Sequence, residues 1–371
     1  MKIGLDCRSV SDSGGIGEYA RQLIKNLIKI NSRDQFVLFF TDCQTAENFP
    51  RGNAEVEILP LAKFKKYLPF VYSHLLVPLI IRRKHCDLTL FPANIIPFFY
   101  FGRSAVVIHD LAVYKFPELF PDQLLNFDRW ALVPRSLKRA DKIIAVSAST
   151  KKDIVELFAV PTEKISVVHE GGNFEFNQVS VSGSLPADLT PKNYFLFVGT
   201  IEPRKNLIRL IEAYKKFVQF GNKDFDLVLA GKSGWKNQEI FTAIAMTNQE
   251  LGQEKIKYLG FVSNQQKAEL YRQAFALVLP SLYEGFGLPA AEALRFGLPL
   301  VLAGNSALPE IGGKAGIYID INSAESILNA LKELSVNHSL YGQLSSQAYQ
   351  RAPQFAWETC AQGVLEALQS F

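Results

Sequence analysis

Short apolar runs, each closed by Gly, Pro or Asp, alternate along this chain with longer stretches of helical period. That alternation constrains the fold more than any other feature. Neighbouring parallel strands need a long crossover, usually a helix, and bury both faces, so they read as continuous apolar runs. Two such series occur. The first holds KIGLDC, QFVLFFT, EVEILP, DLTLFP, SAVVIHD, KIIAVS and ISVVHEG, with a helix over 17–30 that repeats Tyr19, Leu23, Leu27 and Ile30 at helical spacing. The second holds YFLFVGT, DLVLAG, IKYLGFV, ALVLPS, PLVLAGN and AGIYID, separated by patterns such as NLIRLIEAYKKFVQF. Between them, FNQVSVSGSLPADLTPKN has the polar, Ser- and Pro-rich composition of a linker, which places a boundary near 176–191. The expected architecture is α/β, two Rossmann-like doubly wound domains over 1–178 and 190–355, facing each other across a cleft that holds the active site. A chain of 371 residues with 48 % hydrophobic and 20 % charged residues can fill two such cores.

Composition also narrows the class. Cys7, Cys43, Cys86 and Cys360 are scattered, with no C-x-x-C pair or metal-ligand spacing, and a reduced, cytoplasmic setting is expected. Met1 runs directly into the first strand pattern, without the basic and apolar regions of a signal peptide. The apolar run FVYSHLLVPLII over 70–81 contains His74 and Pro78 and is shorter than the roughly 20 residues of a membrane span. Net charge is +4, and all of the excess lies in the first half: residues 1–175 carry 23 Lys and Arg against 19 Asp and Glu, the remainder 17 against 17. Lys63, Lys65 and Lys66 precede the apolar run and Arg82, Arg83 and Lys84 follow it, a layout suited to an anionic membrane surface and equally to the solvated rim of a core helix. No nucleic-acid partner is expected.

The most informative stretch is PSLYEGFGLPAAEALRFGLPLV, residues 280–301, where a strand ends, a Gly-rich turn follows and a helix begins at Leu288 and runs to Arg295. Gly285 and Gly287 let a ligand approach the backbone, and the first N–H groups of a helix are donors suited to phosphate. Glu292 falls about one turn into the helix, where its carboxylate can accept from two ribose hydroxyls. Glu284, ahead of the helix, would face the sugar. The plainer reading, a helix-dipole complement at Glu292 and a cap at Glu284, fits an isolated pair of glutamates better than a pair bracketing Gly-Phe-Gly after a strand.

With these residues the chain resembles the retaining glycosyltransferases of the GT-B fold, family four, along nearly its whole length. Glu284 and Glu292, with seven residues between them, match that family's Glu-x7-Glu element, which implies the donor sugar for Glu284 and the nucleotide ribose for Glu292. It also carries Gly285, Phe286, Gly287 and Leu288 over to donor binding. In YFLFVGTIEPRKNLIRLIEAY, Arg204 and Lys205 sit in the turn beyond a strand's C-terminal end, two adjacent cations suited to a diphosphate, although such pairs are commonly solvated. The G-x-x-E-P-R-K-N element looks like the family's phosphate-binding turn, with one departure. Many members have an arginine after the glycine, where this chain has Thr200, leaving Arg204 and Lys205 to supply the charge. SDSGGIGEYARQL, residues 11–23, is a Gly-rich turn that would also suit a dinucleotide, with Asp42 a poor match for the acidic ribose partner. The resemblance implies donor or acceptor contact at Gly15 and Gly17.

VVIHDL places His109 and Asp110 at a strand's C-terminal end, where His109 can serve a sugar or acceptor hydroxyl or be a buried, satisfied histidine. The family's His-Asp at an equivalent turn implies the catalytic role. In AGNSALPEIGG, Asn305 and Glu310 read equally well as helix capping. Asp224 and Asp226 form a D-x-D ahead of LVLAG, at a strand's N-terminal end away from the site, so no metal and no cofactor are expected. The last segment, FAWETCAQGVLEALQSF, is amphipathic through Trp357, Val364, Leu365 and Leu368, and the resemblance implies that this helix, 356–371, crosses back onto the first domain. The implied activity is retaining, metal-independent hexosyl transfer. The donor is a nucleotide sugar, UDP-glucose or GDP-mannose, and the acceptor a glycan or lipid-linked sugar in cell-surface polysaccharide synthesis, at the inner face of the membrane. A dinucleotide-dependent oxidoreductase and a non-catalytic scaffold of the same fold are the alternatives.

Overall fold

The computed structural model of the chain describes residues 1–12, 14–60, 68–121, 131–172 and 189–370. Most of the expected linker, and Lys63, Lys65 and Lys66 before the apolar run, lie outside the described residues. Every strand read from the sequence forms. In the first half these are β1 (Lys2–Asp6), β2 (Gln35–Phe40), β3 (Ala54–Ile58), β4 (Leu88–Phe91), β5 (Ser104–Ile108), β6 (Lys142–Ala145) and β7 (Ile165–Val167). In the second they are β8 (Tyr194–Val198), β9 (Asp226–Ala230), β10 (Ile256–Gly260), β11 (Ala276–Leu279), β12 (Leu300–Ala303) and β13 (Gly316–Ile319).

Packing separates the chain into two compact units, one of Met1–Leu111, Asp122–Gly171 and Ala356–Phe371, the other of Ala112–Pro121 and Gly172–Phe355. Each has one parallel sheet, ordered β3-β2-β1-β4-β5-β6-β7 in the first unit and β10-β9-β8-β11-β12-β13 in the second. Central strands such as β5 and β8 are buried at every residue, as their unbroken apolar sequences require. In both sheets the order reverses beside the first strand of the series, between β1 and β4 and between β8 and β11. In open α/β sheets of this kind, ligands bind beyond the strands' C-terminal ends at such a point.

In the first unit, α1 (Gly15–Ile30) lays Tyr19, Leu23 and Leu27 into the core with no exposure. Each leucine so buried contributes roughly 2 kcal/mol. The C-terminal helix, α6 (Trp357–Gln369), packs on α1 through Trp357, whose ring centroid lies 5.8 Å from that of Tyr19. It therefore belongs to the first unit. In the second unit, the segment Ala112–Pro121 is held by Trp235, whose Nε1 donates to the Leu119 carbonyl at 2.9 Å, and by Lys236, which donates to the carbonyls of Glu118 and Phe120. The apolar run near 70–81 is helical, continued through a π turn at Tyr72–Leu76 into Val77–Arg83. No helix among the described residues is long and apolar enough to cross a membrane.

Candidate active site

The second unit gathers the predicted charges at its switch point. Beyond β8, the chain makes a single 3-10 turn over Pro203–Lys205, then passes through Asn206 with φ of 57° into α2 (Leu207–Gln219). The Asn206 side chain donates to the carbonyls of Pro280 and Ile321, tying this turn to the loop that leaves β11. That loop, 280–287, ends at Gly287 with φ of 98° and starts α4 (Leu288–Leu294), one residue shorter than expected. An added Cβ at Gly287 would meet Leu308 Cδ2 at 2.7 Å, so both the backbone angle and the space require glycine.

Glu284 is the centre of this arrangement. Its Oε1 lies 2.6 Å from Lys205 Nζ and accepts the Ser281 hydroxyl at 2.6 Å, while its Oε2 lies 3.1 Å from Arg204 Nη1. Arg204 also donates to the Tyr283 carbonyl at 2.7 Å and pairs with Glu202, 2.6 Å away and almost wholly buried. Two cations and two carboxylates are thus brought together in a small, largely buried volume. Burial alone would raise the Glu284 carboxyl, but the charges of Lys205 and Arg204, with hydrogen bonds from Lys205 and Ser281, outweigh it and hold the group down at about 2. The loop after β12 closes the cluster: Ser306, with φ of 51°, accepts from the Glu284 backbone N–H at 3.0 Å, and Asn305 donates to the Leu282 carbonyl. Such a cluster can present fixed positive charge to an incoming diphosphate while a carboxylate stays ionised beside it.

Glu292, the second acidic residue of the pair, is also buried and already held. Lys267 Nζ lies 2.6 Å from its Oε1, and Tyr271 donates to its Oε2 at 2.7 Å. Both partners stand on α3 (Asn264–Gln273). Sequence reasoning assigned no role to Glu202, Lys267, Tyr271, Ser281 or Ser306. Glu202 was visible inside the G-x-x-E-P-R-K-N element, but the others carry no local signal, since they reach the glutamates from other elements or as ordinary loop serines. Glu310 stands in the first turn of α5 (Leu308–Gly312), and Asp226 is paired with Lys255 and Lys257 at 3.0 Å each at the start of β9.

In the first unit, His109 follows β5 and is buried. Its Nδ1 lies 2.9 Å from Glu170 Oε1 and its Nε2 lies 2.8 Å from the Pro92 carbonyl. Both neighbours accept, so the ring is satisfied when it carries two protons. Burial opposes that charge, but Glu170 and the Pro92 carbonyl outweigh it and raise the pKa. Both ring nitrogens are thus bonded inside the unit. Gly15 opens α1 with clear space where a Cβ would stand, whereas a Cβ at Gly17 would lie 1.9 Å from the Asp12 carbonyl oxygen. Gly17 is therefore required by the turn itself, and Gly15 leaves room beside the helix start. Lys84, one of the basic residues that follow the apolar run, is bound by Glu55 and Glu57 at 2.7 and 2.6 Å.

Residues 13–176 match the family described as Glycosyltransferase Family 4, and residues 187–351 match the glycosyl transferases group 1. Together the two matches take up nearly the whole chain, which belongs to this family of GT-B glycosyltransferases. O-antigen chain mannosyltransferase B of Escherichia coli is 29 % identical over 369 residues, covering 95 % of each chain. The serotype-specific mannosyltransferase WbdA, also of Escherichia coli, is 25 % identical over 74 % of this chain, which spans only about a third of that protein's length (34 %). Among solved structures, Anabaena Alr3699/HepE in complex with UDP and glucose superposes over 100 % of both chains with a TM-score of 0.74 at 20 % identity. The chain is a glycosyltransferase, and the oxidoreductase and scaffold readings fall away.

Proposed function

We propose that this enzyme transfers a hexose, with retention, from a nucleotide diphosphate sugar to a glycan or lipid-linked acceptor of a cell-surface polysaccharide. The observation that carries the proposal is the placement of Arg204, Lys205 and Glu284 in one cluster at the β8/β11 switch point. Breaking the bond between the anomeric carbon and the diphosphate leaves negative charge on the departing oxygen and positive charge on the sugar. Arg204 and Lys205 take up the first, a task that otherwise falls to a metal ion. Glu284 screens the second. The acceptor oxygen bonds to the same face of the anomeric carbon that the diphosphate leaves, and its proton passes to the leaving phosphate oxygen. Gly285, Phe286, Gly287 and Leu288 line the donor's approach, and Glu292 accepts from the ribose.

The mannosyltransferase relatives favour mannose, and so GDP-mannose, over UDP-glucose. The first unit supplies a surface for a lipid-linked acceptor at the inner face of the membrane. Leu68, Val71, Leu75 and Leu79 are exposed along the helix near 69–83, Arg82 and Arg83 end it, and Phe99 and Phe101 stand exposed on a following loop. Apolar anchors flanked by arginine fit an anionic lipid surface.

Thermal unfolding with GDP and with UDP tests the donor reading, because a ligand of the folded state raises Tm. GDP is expected to give the larger rise, E292A to remove it, and GDP-mannose to be consumed faster than UDP-glucose. No rise with either nucleotide would sink the proposal.

A further inference from the structure

The two donors that hold Glu292 come from one rigid source. Lys267 and Tyr271 are one turn apart on α3 and so project from the same face. That helix is locked at its start by a reciprocal capping box between Ser263 and Gln266. The Tyr271 side chain is wholly buried, with its ring stacked on Phe296 at 5.7 Å between centroids. Burial, and then the facing carboxylate, push its phenol well above the ordinary value, so it stays protonated and donates.

An ionised carboxylate offers about four lone-pair directions, two on each oxygen. Lys267 takes one on Oε1 and Tyr271 one on Oε2. One direction is left on each oxygen, in the carboxylate plane, which suits two adjacent hydroxyls. From this geometry we infer that Lys267 and Tyr271 are positioning residues that aim Glu292 at the vicinal ribose hydroxyls and make the site select ribonucleotides over 2′-deoxyribonucleotides. The inference rests on the proposed ribose role of Glu292. A pair that only fastened α3 to α4 would support the fold without any such preference.

The test is calorimetric binding of GDP, UDP and their 2′-deoxy counterparts to the full chain and to the variants E292Q, Y271F, K267M and K267R. The wild-type chain is expected to bind its better ribonucleotide about tenfold or more tighter than the 2′-deoxy form, the size of a hydrogen bond to a charged acceptor. E292Q should bring that ratio close to one. Y271F and K267M should lower it several-fold, weakening the 2′-deoxy nucleotide, which keeps only its 3′-hydroxyl contact to Glu292, less than the ribonucleotide, and K267R should recover much of the wild-type ratio. Binding of the 2′-deoxy form also reports that each variant is folded. If E292Q keeps the ratio, the ribose role of Glu292 is wrong. If E292Q loses it but Y271F and K267M keep it, or weaken both nucleotides alike, the positioning role is wrong and the pair only packs two helices.

Discussion

Glu284 Oε1 lies 2.6 Å from Lys205 Nζ, across a gap of 79 residues in sequence, and its other oxygen reaches Arg204. The acid read as the sugar's partner is therefore also the counter-charge of the cations read as the diphosphate's partners. In the proposed reaction an arriving diphosphate would share these cations with a carboxylate already in place, so the charges would be oriented before the substrate binds and little reorganisation would accompany bond breaking.

Removing that carboxylate separates its two roles. In E284A, Lys205 and Arg204 lose a buried partner, and unfolding in urea should show a loss of about 3 kcal/mol. Transfer should fall by roughly a hundredfold or more, about the scale of one preorganised electrostatic group. Pyrophosphate should stabilise the variant more than the wild type, since it now meets uncompensated cations. Equal stabilisation of both proteins would disconnect the cations from anion binding.

Acid should weaken the second unit through the same group. The Glu284 carboxyl is held at about 2 against an ordinary 4.5, so its contribution is complete above about pH 5 and is lost as pH falls from there toward 2. The depression corresponds to about 3 kcal/mol. Urea midpoints between pH 6 and 3 should drop steeply in the wild type and less in E284Q, and parallel curves would contradict the assignment.

His109 acts in the opposite direction. Its pKa is raised by Glu170 against the cost of burial, so the pair stabilises the fold fully below the ordinary value of 6.5 and loses that contribution as pH rises through the higher folded value. Nitrogen shifts of the His109 ring should show the doubly protonated imidazole persisting to higher pH than in an unstructured peptide. H109Q should be less stable than the wild type at pH 6, with the difference narrowing toward pH 9.

Gly287→Ala tests the turn that launches α4. A side chain there meets both a φ of 98° and Leu308 at 2.7 Å. The strain should cost about 1–3 kcal/mol and reduce donor affinity more than a neutral surface substitution does. Unchanged binding by calorimetry would detach this turn from the site.

Flotation with vesicles tests the apolar surface of the first unit. The wild type is expected to float with vesicles containing phosphatidylglycerol at low salt and less so as salt screens the arginines. L75E combined with L79E should abolish flotation while leaving thermal stability nearly unchanged, because both leucines are exposed.

Strand identities were legible because parallel strands bury both faces and so write their apolar runs continuously, as in Ser104–Ile108 and Tyr194–Val198. Arg204, Lys205 and Glu284 were legible for a related reason, since each follows a strand directly, where such sheets keep their ligands. Lys267 and Tyr271 were not. Their sequence, NQQKAELYRQ, is that of an ordinary amphipathic helix, and only its packing turns them toward Glu292.

Local order along the chain therefore settled which segments are strands, where the Gly-rich turns fall and which charges stand at strand ends, because propensity and apolar period act over a few residues. Pairing was decided only on folding: that Lys205 faces Glu284, that both nitrogens of His109 are bonded inside its unit, and that Lys84 is bound by Glu55 and Glu57. Partners of a buried charge are chosen by which elements the sheet order brings side by side, and that choice depends on contacts far apart in sequence.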